Sequence, residues 1–304
     1  MTYKVEYINC KICGADRPGF LGTRGNREYA GAPGSVTDEE HIVTNVVKCK
    51  VCGFVYINPL IFPRKTGYDN PHNYISSGIM GPEALCGFTL GLIEKYVKKS
   101  KMLDIGCGKG EFLSAAKKRG WEVYGLEPSV NLGRFAIEKS GADVKMSDLK
   151  ESHYPDNYFD IVTLNMVLEH IDGPKEFILE IRRILKDRGH LFIEVPNMDS
   201  LMLKIAALYY RLSGKAWSPF LSPLHYPFHC YGYNMSSLAF LLNNSGFYIK
   251  RKVVRDSSMR GFRFDAGGSA FEKAARNAVS KLSGLLGMGD VLNVIAEKKR
   301  QKTY

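Results

Sequence analysis

Lys101-Met102-Leu103-Asp104-Ile105-Gly106-Cys107-Gly108-Lys109-Gly110 is a short apolar run that ends on an acid and breaks into spaced glycines. Its first five residues have the apolar, β-compatible texture of a buried strand, and Gly110 to Arg119 reads as the helix that follows. The same unit repeats on both sides. Leu85 to Lys98 has a helical apolar period; Trp121 to Leu126 is a strand, Val130 to Lys139 a helix, and Ala142 to Met146 a short strand. Tyr158 to Leu164 is again a strand, Glu176 to Leu185 a helix and Gly189 to Val195 a strand. Strands alternating with helices of this length imply parallel strands joined by crossover helices, so the fold class is α/β with a doubly wound, mainly parallel sheet. Such sheets bind ligands at the carboxyl ends of their strands, where the strand order reverses.

After residue 196 the alternation breaks. Residues 198–233 hold an apolar helix and then an aromatic, Pro-rich loop; a helix over Ser236 to Asn244 and a strand over Phe247 to Val254 follow. An amphipathic helix over 271–286 and a strand over Asp290 to Ala296 complete the chain, which predicts a closing antiparallel pair at the sheet edge. The segments 196–235 and 256–288 are then insertions on the substrate side.

The glycine loop limits the ligand. Glycines suit a tight turn with unusual dihedrals and let backbone approach a ligand closely, and free amides at the helix start favour a carboxylate or another polar group. A phosphate-binding P-loop would need Gly where Leu103 stands and Ser or Thr where Gly110 stands; a dinucleotide fingerprint would need Gly in place of Glu111. What remains, Asp-x-Gly-x-Gly-x-Gly over Asp104, Gly106, Gly108 and Gly110, resembles motif I of the class I S-adenosylmethionine-dependent methyltransferases. Further matches follow in order: Glu127-Pro128 after the second strand, Asp148 after the third, Asn165-Met166 after the fourth, then Val167-Leu168-Glu169-His170-Ile171. The resemblance spans roughly residues 80–300. It implies a cofactor site of Asp104, Gly106, Cys107, Gly108, Gly110, Glu127, Pro128, Asp148, Asn165 and Met166, with Glu127 on the ribose hydroxyls and Asp148 near the adenine amine.

The amino-terminal region differs. Residues 1–70 are rich in turn formers and lack a long helical period, with β-like runs at Val43 to Val47 and Phe54 to Ile57. Cys10-Lys11-Ile12-Cys13-Gly14 and Cys49-Lys50-Val51-Cys52-Gly53 are two knuckles separated by 35 residues. Four thiolates at that spacing suit a closed tetrahedral zinc site, and in so small a unit the metal supplies folding free energy. The expected organisation is a zinc-binding, ribbon-like module at 1–70 and a methyltransferase domain at 71–304. Cys86 and Cys230 read as buried hydrophobes. Knuckles followed by such a domain resemble bacterial methyltransferases of surface-polysaccharide and deoxysugar pathways. The match does not extend to the carboxyl-terminal domain of the sugar C-methyltransferases. The implied activity is methyl transfer to a small-molecule or glycan acceptor, a sugar hydroxyl in surface-polysaccharide or secondary metabolism.

Displacement at a sulfonium needs alignment and, for a hydroxyl acceptor, a base. Candidates lie in Ser222-Pro223-Leu224-His225-Tyr226-Pro227-Phe228-His229-Cys230-Tyr231, where His225 or His229 takes the proton while Tyr226 and Tyr231 orient the acceptor. An aromatic lid with structurally bonded histidines is the alternative. Two histidines without an acidic cluster make a poor magnesium or iron site, and His170 reads as structural.

Composition narrows the partners. Of a net charge of +11, residues 246–304 carry +8, from 13 Lys/Arg against five acids. That surface suits polyanions, whether lipid headgroups, phosphorylated substrates or nucleic acid, or it is simply a solvated face. An RNA methyltransferase therefore stays open as an alternative, although Leu164-Asn165-Met166-Val167 lacks the Pro-Pro motif of base-amine methylation. A non-catalytic scaffold is a third reading. Met1-Thr2-Tyr3-Lys4-Val5-Glu6 lacks the apolar run expected of a signal peptide, and Leu201 to Leu212, interrupted by Lys204 and Arg211, is too short to span a bilayer. The expected location is cytoplasmic. The apolar helices fit lids, a dimer surface, or contact with a lipid-linked acceptor.

Overall fold

In a computed structural model of the chain, residues 3–25, 43–63, 83–223, 229–256 and 270–300 are described. The amino-terminal strands are β1 (Tyr3–Glu6), β2 (Pro18–Gly25), β3 (Val43–Cys49), β4 (Val55–Asn58) and β5 (Leu60–Pro63). Then come α1 (Glu83–Ile93), β6 (Lys101–Ile105), α2 (Glu111–Lys118), β7 (Glu122–Leu126), α3 (Val130–Ser140), β8 (Asp143–Lys145) and β9 (Phe159–Asn165). A single 3-10 turn (Leu168–His170) leads to α4 (Pro174–Ile184), β10 (Leu185–Pro196) and α5 (Leu201–Leu212). The chain ends with β11 (Tyr231–Gly232), α6 (Met235–Asn244), β12 (Phe247–Arg255), α7 (Ala270–Leu285) and β13 (Val291–Lys298).

Seven strands form one sheet in the order β12-β13-β10-β9-β6-β7-β8. The five from β10 to β8 are parallel, and β13 lies antiparallel to both β10 and β12. This is the doubly wound sheet with the closing antiparallel pair that the sequence predicts. Each strand serves two cores because its side chains alternate. Leu103, Ile105, Val162, Leu164 and Ile193 face one core with Ile178, Ile181, Leu238 and Leu241. Met102, Ile161, Phe192 and Ile295 face the other, with Leu90, Leu113 and Ala136. Helix starts are set locally. Ser129 Oγ accepts the Leu132 amide at 3.3 Å, and Asn234 with Ser237 forms a reciprocal cap on α6. Strand order reverses around β6, since the chain runs outward through β7 and β8 and returns to β9 on the other side.

The amino-terminal sheet, order β11-β4-β3-β2, is antiparallel and takes its edge strand from residues 231–232. The unit expected at 1–70 thus shares a sheet and a core with the substrate-side insertion. Phe54 lies against Tyr231 and Tyr233 with ring centroids 5.6 and 5.1 Å away, and the Thr23 amide donates to Ala216 O at 2.7 Å. Helix α5 buries no side chain and leaves Leu208, Tyr209 and Leu212 exposed. Among the described residues no helix is long and apolar enough to cross a membrane.

Two of the basic residues counted in the carboxyl-terminal excess are buried. Lys298 donates to Leu185 O at 2.6 Å and Asn157 Oδ1 at 2.8 Å. Arg255 pairs with Glu194 inside the molecule, their side chains 4% and 3% exposed. With its amide turned to satisfy both, Asn293 donates to Glu194 Oε2 at 2.9 Å and accepts from Arg255 Nε at 3.3 Å. Removing one partner of a buried pair strands the other charge, so Glu194→Gln is expected to cost about 3 kcal/mol. The double variant Glu194→Gln/Arg255→Met should recover most of that loss. Urea unfolding of the three proteins tests this, and additive losses would contradict it.

Candidate active site

The loop leaving β6 and the loop leaving β9 meet at the reversal of strand order. Gly106 has φ +68°, and a Cβ there would stand 2.6 Å from Val167 Cγ2. Gly110 has φ +78°, and its Cβ would meet the Ala136 backbone at 2.8 Å. The sequence pattern suits close approach of a ligand at these glycines. Packing of the protein against itself also requires both of them. The amides of the loop itself, ahead of the helix start at Glu111, have partners within the protein. Those of Gly106 and Cys107 donate to Leu126 O, that of Gly108 to Glu127 Oε2 at 2.9 Å, and that of Gly110 to Cys107 O. These four amides are consumed within the protein and are not free to receive an anion.

The polarity of the site is set instead by carboxylates. Asp104 ends β6 at 2% exposure, its Oδ1 accepting from Thr163 Oγ1 at 2.7 Å and Asn165 Nδ2 at 3.0 Å. Burial pushes its pKa up to about 7, against the pull of those two donors, and the charge of Glu127 adds to the rise. Glu127, also buried, holds the Gly108 and Ser129 amides, and burial raises its pKa as well. Two desolvated carboxyls beside a glycine turn favour a cationic ligand that also offers hydroxyls.

The other residues expected around a cofactor fall along the same edge. Cys107 is buried beside Gly125 and Leu113. Pro128 and Asp148 are exposed, and Asp148 Oδ1 accepts the Glu151 amide at 2.9 Å. Met166 adopts φ +57°, its amide bound to Glu194 O at 2.9 Å. This left-handed turn carries Val167 back over Gly106. Asn165 reaches Asp104 and orients it.

The four knuckle cysteines converge, with all sulfurs within 4.8 Å of one another. Cys10 Sγ lies 3.5 Å from Cys52 Sγ, and Cys13 Sγ 3.5 Å from Cys49 Sγ. A disulfide needs about 2.05 Å, whereas a tetrahedral zinc with 2.3 Å bonds separates its sulfurs by roughly 3.8 Å. The donor set fits zinc. The first knuckle also touches the segment around β11, where Lys11 Nζ is 3.2 Å from Asp172 Oδ1 and the Tyr231 hydroxyl donates to that oxygen at 2.8 Å.

Of the expected proton acceptors, His225 and Tyr226 lie outside the described residues. His229 is half-buried, its amide donating to Ser222 O at 3.0 Å, and burial lowers its imidazole to about 4. Its neighbour is the ring of His170, 4.9 Å away between centroids. Glu169 completes this group at 1% exposure. Sequence alone marks His170 as structural and shows no acid near the histidines, because His170 and His229 are 59 positions apart; the fold brings them together with Glu169. The sequence also misses the polar row of Thr163, Glu194, Asn293 and Arg255. The available signal was an acid inside an apolar strand, Phe192-Ile193-Glu194-Val195.

The model of the family described as "Methyltransferase domain" matches residues 81–251, beginning after the knuckles. Ubiquinone biosynthesis O-methyltransferase of Idiomarina loihiensis is 30% identical over 141 residues, 43% of this chain and 57% of that protein. Malonyl-[acyl-carrier protein] O-methyltransferase of Hamiltonella defensa is 28% identical over 131 residues, 43% of this chain and 50% of that one. The chain spans about half the length of the curated relatives it matches. A crystal structure of an S-adenosylmethionine-dependent methyltransferase from Archaeoglobus fulgidus superposes with a TM-score of 0.53 at 24% identity, covering 75% of this chain and 99% of that one. The chain belongs to the methyltransferase domain family, of the class I, S-adenosylmethionine-dependent type.

Two predictions follow from the geometry. Gly106→Ala combines a strained φ with a clash against Val167 and should lose about 2 kcal/mol. Val167→Ala in the same background should return only the clash. Thermal unfolding of the pair measures both parts, and no loss in the single variant would contradict the assigned packing. The second concerns Asp104. Its folded value lies above the unfolded value of about 3.9, so the ligand-free native state loses stability as pH rises from about 4 to 7. A cation beside the ionised carboxylate reverses this. Calorimetric affinity for S-adenosylmethionine should therefore strengthen between pH 6 and 8, and Asp104→Asn should flatten that dependence.

Proposed function

We propose that this protein transfers a methyl group from S-adenosylmethionine to a hydroxyl of a small-molecule or glycan acceptor, a sugar of surface-polysaccharide or secondary metabolism. The observation that carries this reading is the pair of desolvated carboxyls, Asp104 and Glu127, on either side of a glycine turn at the switch point of the sheet. Bound S-adenosylmethionine supplies an activated methyl group on a cationic sulfonium. Asp104, oriented by Thr163 and Asn165, balances the positive charge, and Glu127 accepts from the ribose hydroxyls. Gly106, Cys107, Gly108 and Gly110 shape the floor, while Pro128, Asp148, Asn165 and Met166 border the adenosine. The acceptor's proton goes to the segment that bears His225, Tyr226 and His229. An oxygen acceptor is supported by the two relatives named as O-methyltransferases. Burial of Arg255 and Lys298 weakens the electrostatic case for RNA.

In this reading residues 1–70 form a zinc module on Cys10, Cys13, Cys49 and Cys52, and residues 71–304 form the catalytic domain. The protein works in the cytoplasm, where thiols stay reduced. The module acts on the acceptor side, since Lys11 and β4 touch Asp172 and β11.

Purified protein is expected to bind S-adenosylmethionine and to label nucleotide sugars from the methyl-labelled cofactor. Absence of cofactor binding ends the proposal, and labelling of RNA in preference to sugars replaces the acceptor. Chelating the zinc, or Cys49→Ser, should lower the melting temperature and raise the acceptor KM at nearly unchanged cofactor affinity. Equal loss of both affinities would contradict the acceptor-side role.

A further inference from the structure

Glu169, His170 and His229 come from two places in the chain and meet on the acceptor side. Each offers one ligand atom, and these atoms all lie within 4.8 Å of one another. Glu169 and His170 sit on the 3-10 turn after β9, while His229 precedes β11. Their backbone is fixed by several independent contacts. Met166 turns the chain in the left-handed region, Val167 packs on Gly106, and the Tyr233 hydroxyl donates to Leu168 O at 3.3 Å. On the other side, His229 bridges to Ser222 and β11 pairs with β4. Ligands held by packed elements are the usual condition for a metal site with open positions.

We propose that Glu169, His170 and His229 form a second metal site, for a divalent transition-metal ion, distinct from the four-cysteine cluster. One carboxylate and two imidazoles make a mixed oxygen and nitrogen donor set, suited to manganese, iron, cobalt or zinc. An ion about 2.1 Å from each ligand atom holds the three at roughly 3.0 to 3.5 Å from one another, so small side-chain rotations close the present arrangement. Glu169 is 1% exposed, so its carboxylate would meet the ion away from bulk water, where attraction between unlike charges is strongest. Three protein ligands leave positions open for oxygen donors. Resting on the hydroxyl acceptor proposed above, the site takes an acceptor with two neighbouring oxygens, such as a vicinal diol, and makes its bound hydroxyl more acidic. His229 then serves as a ligand, which leaves the proton to His225 or Tyr226 of the same segment.

Manganese separates the two metal centres, because a tetrathiolate site disfavours it. The free-ion electron paramagnetic resonance signal, recorded while Mn²⁺ is titrated into the full-length zinc-loaded protein, is expected to show one equivalent taken up. His229→Ala and His170→Ala should each weaken that uptake by more than about tenfold, as should the near-isosteric Glu169→Gln, which guards against a folding defect. Cys49→Ser should keep it. Circular dichroism confirms that each variant is folded. No uptake by the parent protein, or equal uptake by parent and folded His229→Ala, overturns the proposal. Calorimetry with S-adenosylmethionine on the same samples separates the two readings. Cofactor binding without manganese uptake removes only the metal site, and manganese uptake without cofactor binding supports the metal site while removing the methyl-transfer reading.

Discussion

Two residues of strand, Tyr231 and Gly232, join the halves of this molecule. They pair antiparallel with Tyr56 and Val55 at the edge of the amino-terminal sheet, and the rings of Phe54, Tyr231 and Tyr233 close over the junction. The residues that flank β11 are placed relative to that junction. His229 stands two residues before β11, the cap of α6 begins two residues after it, and Asn234 Nδ2 donates to Gly53 O at 3.2 Å. The second knuckle therefore continues directly into the contact. A cluster of four sulfurs that fixes the Cys49–Gly53 turn also fixes the register of β4, and through β4 the segment that carries His229. Aromatic stacking adds to ordinary burial in such a junction, so its geometry is well determined even though the paired strand is only two residues long.

The cofactor side obeys a different constraint. The strands β6 and β9 place Asp104 opposite Thr163, and a residue further on Ile105 opposite Leu164. Because side chains alternate, Asp104, Thr163 and Asn165 share one face while their neighbours fill the opposite core. The polar face continues through Glu194, Asn293 and Arg255 on the antiparallel edge. A polar row across five strands is costly unless each group finds a partner. Asp104 is the member whose charge no cation among the described residues offsets; its donors are neutral and the nearby charge is another carboxyl. That imbalance suits a cationic ligand and explains why a site of this kind depends less on backbone amides than a phosphate loop does.

Local pattern was sufficient for the sheet. The run Lys101–Ile105, the glycines after it, the helix of Pro174–Ile184 and the terminal strand Val291–Lys298 all carry periodicity within a dozen residues. The residues expected around a cofactor were easy to place for the same reason, since they follow the ends of strands. The surroundings of His229 were less so. Strand β11 is too short to carry a period, and β2 is broken by glycines and a register shift at Phe20/Gly22. Burial of Lys298 and Arg255 was hidden as well, because a sum of charges does not distinguish a surface lysine from one bound to Leu185 O.

By itself the sequence determined the α/β order, the glycine turn with its flanking acids, and the pairing of four cysteines into two knuckles. Each is a property of neighbours along the chain, where spacing and dihedral preference act directly. The tertiary structure alone decided that Val167 excludes a side chain at Gly106 and that the module shares a sheet with residues 231–232. It also decided that Glu169 and His170 stand beside His229. These pairings join residues tens to more than a hundred positions apart, and only the packing of strands and cores sets the distances between them.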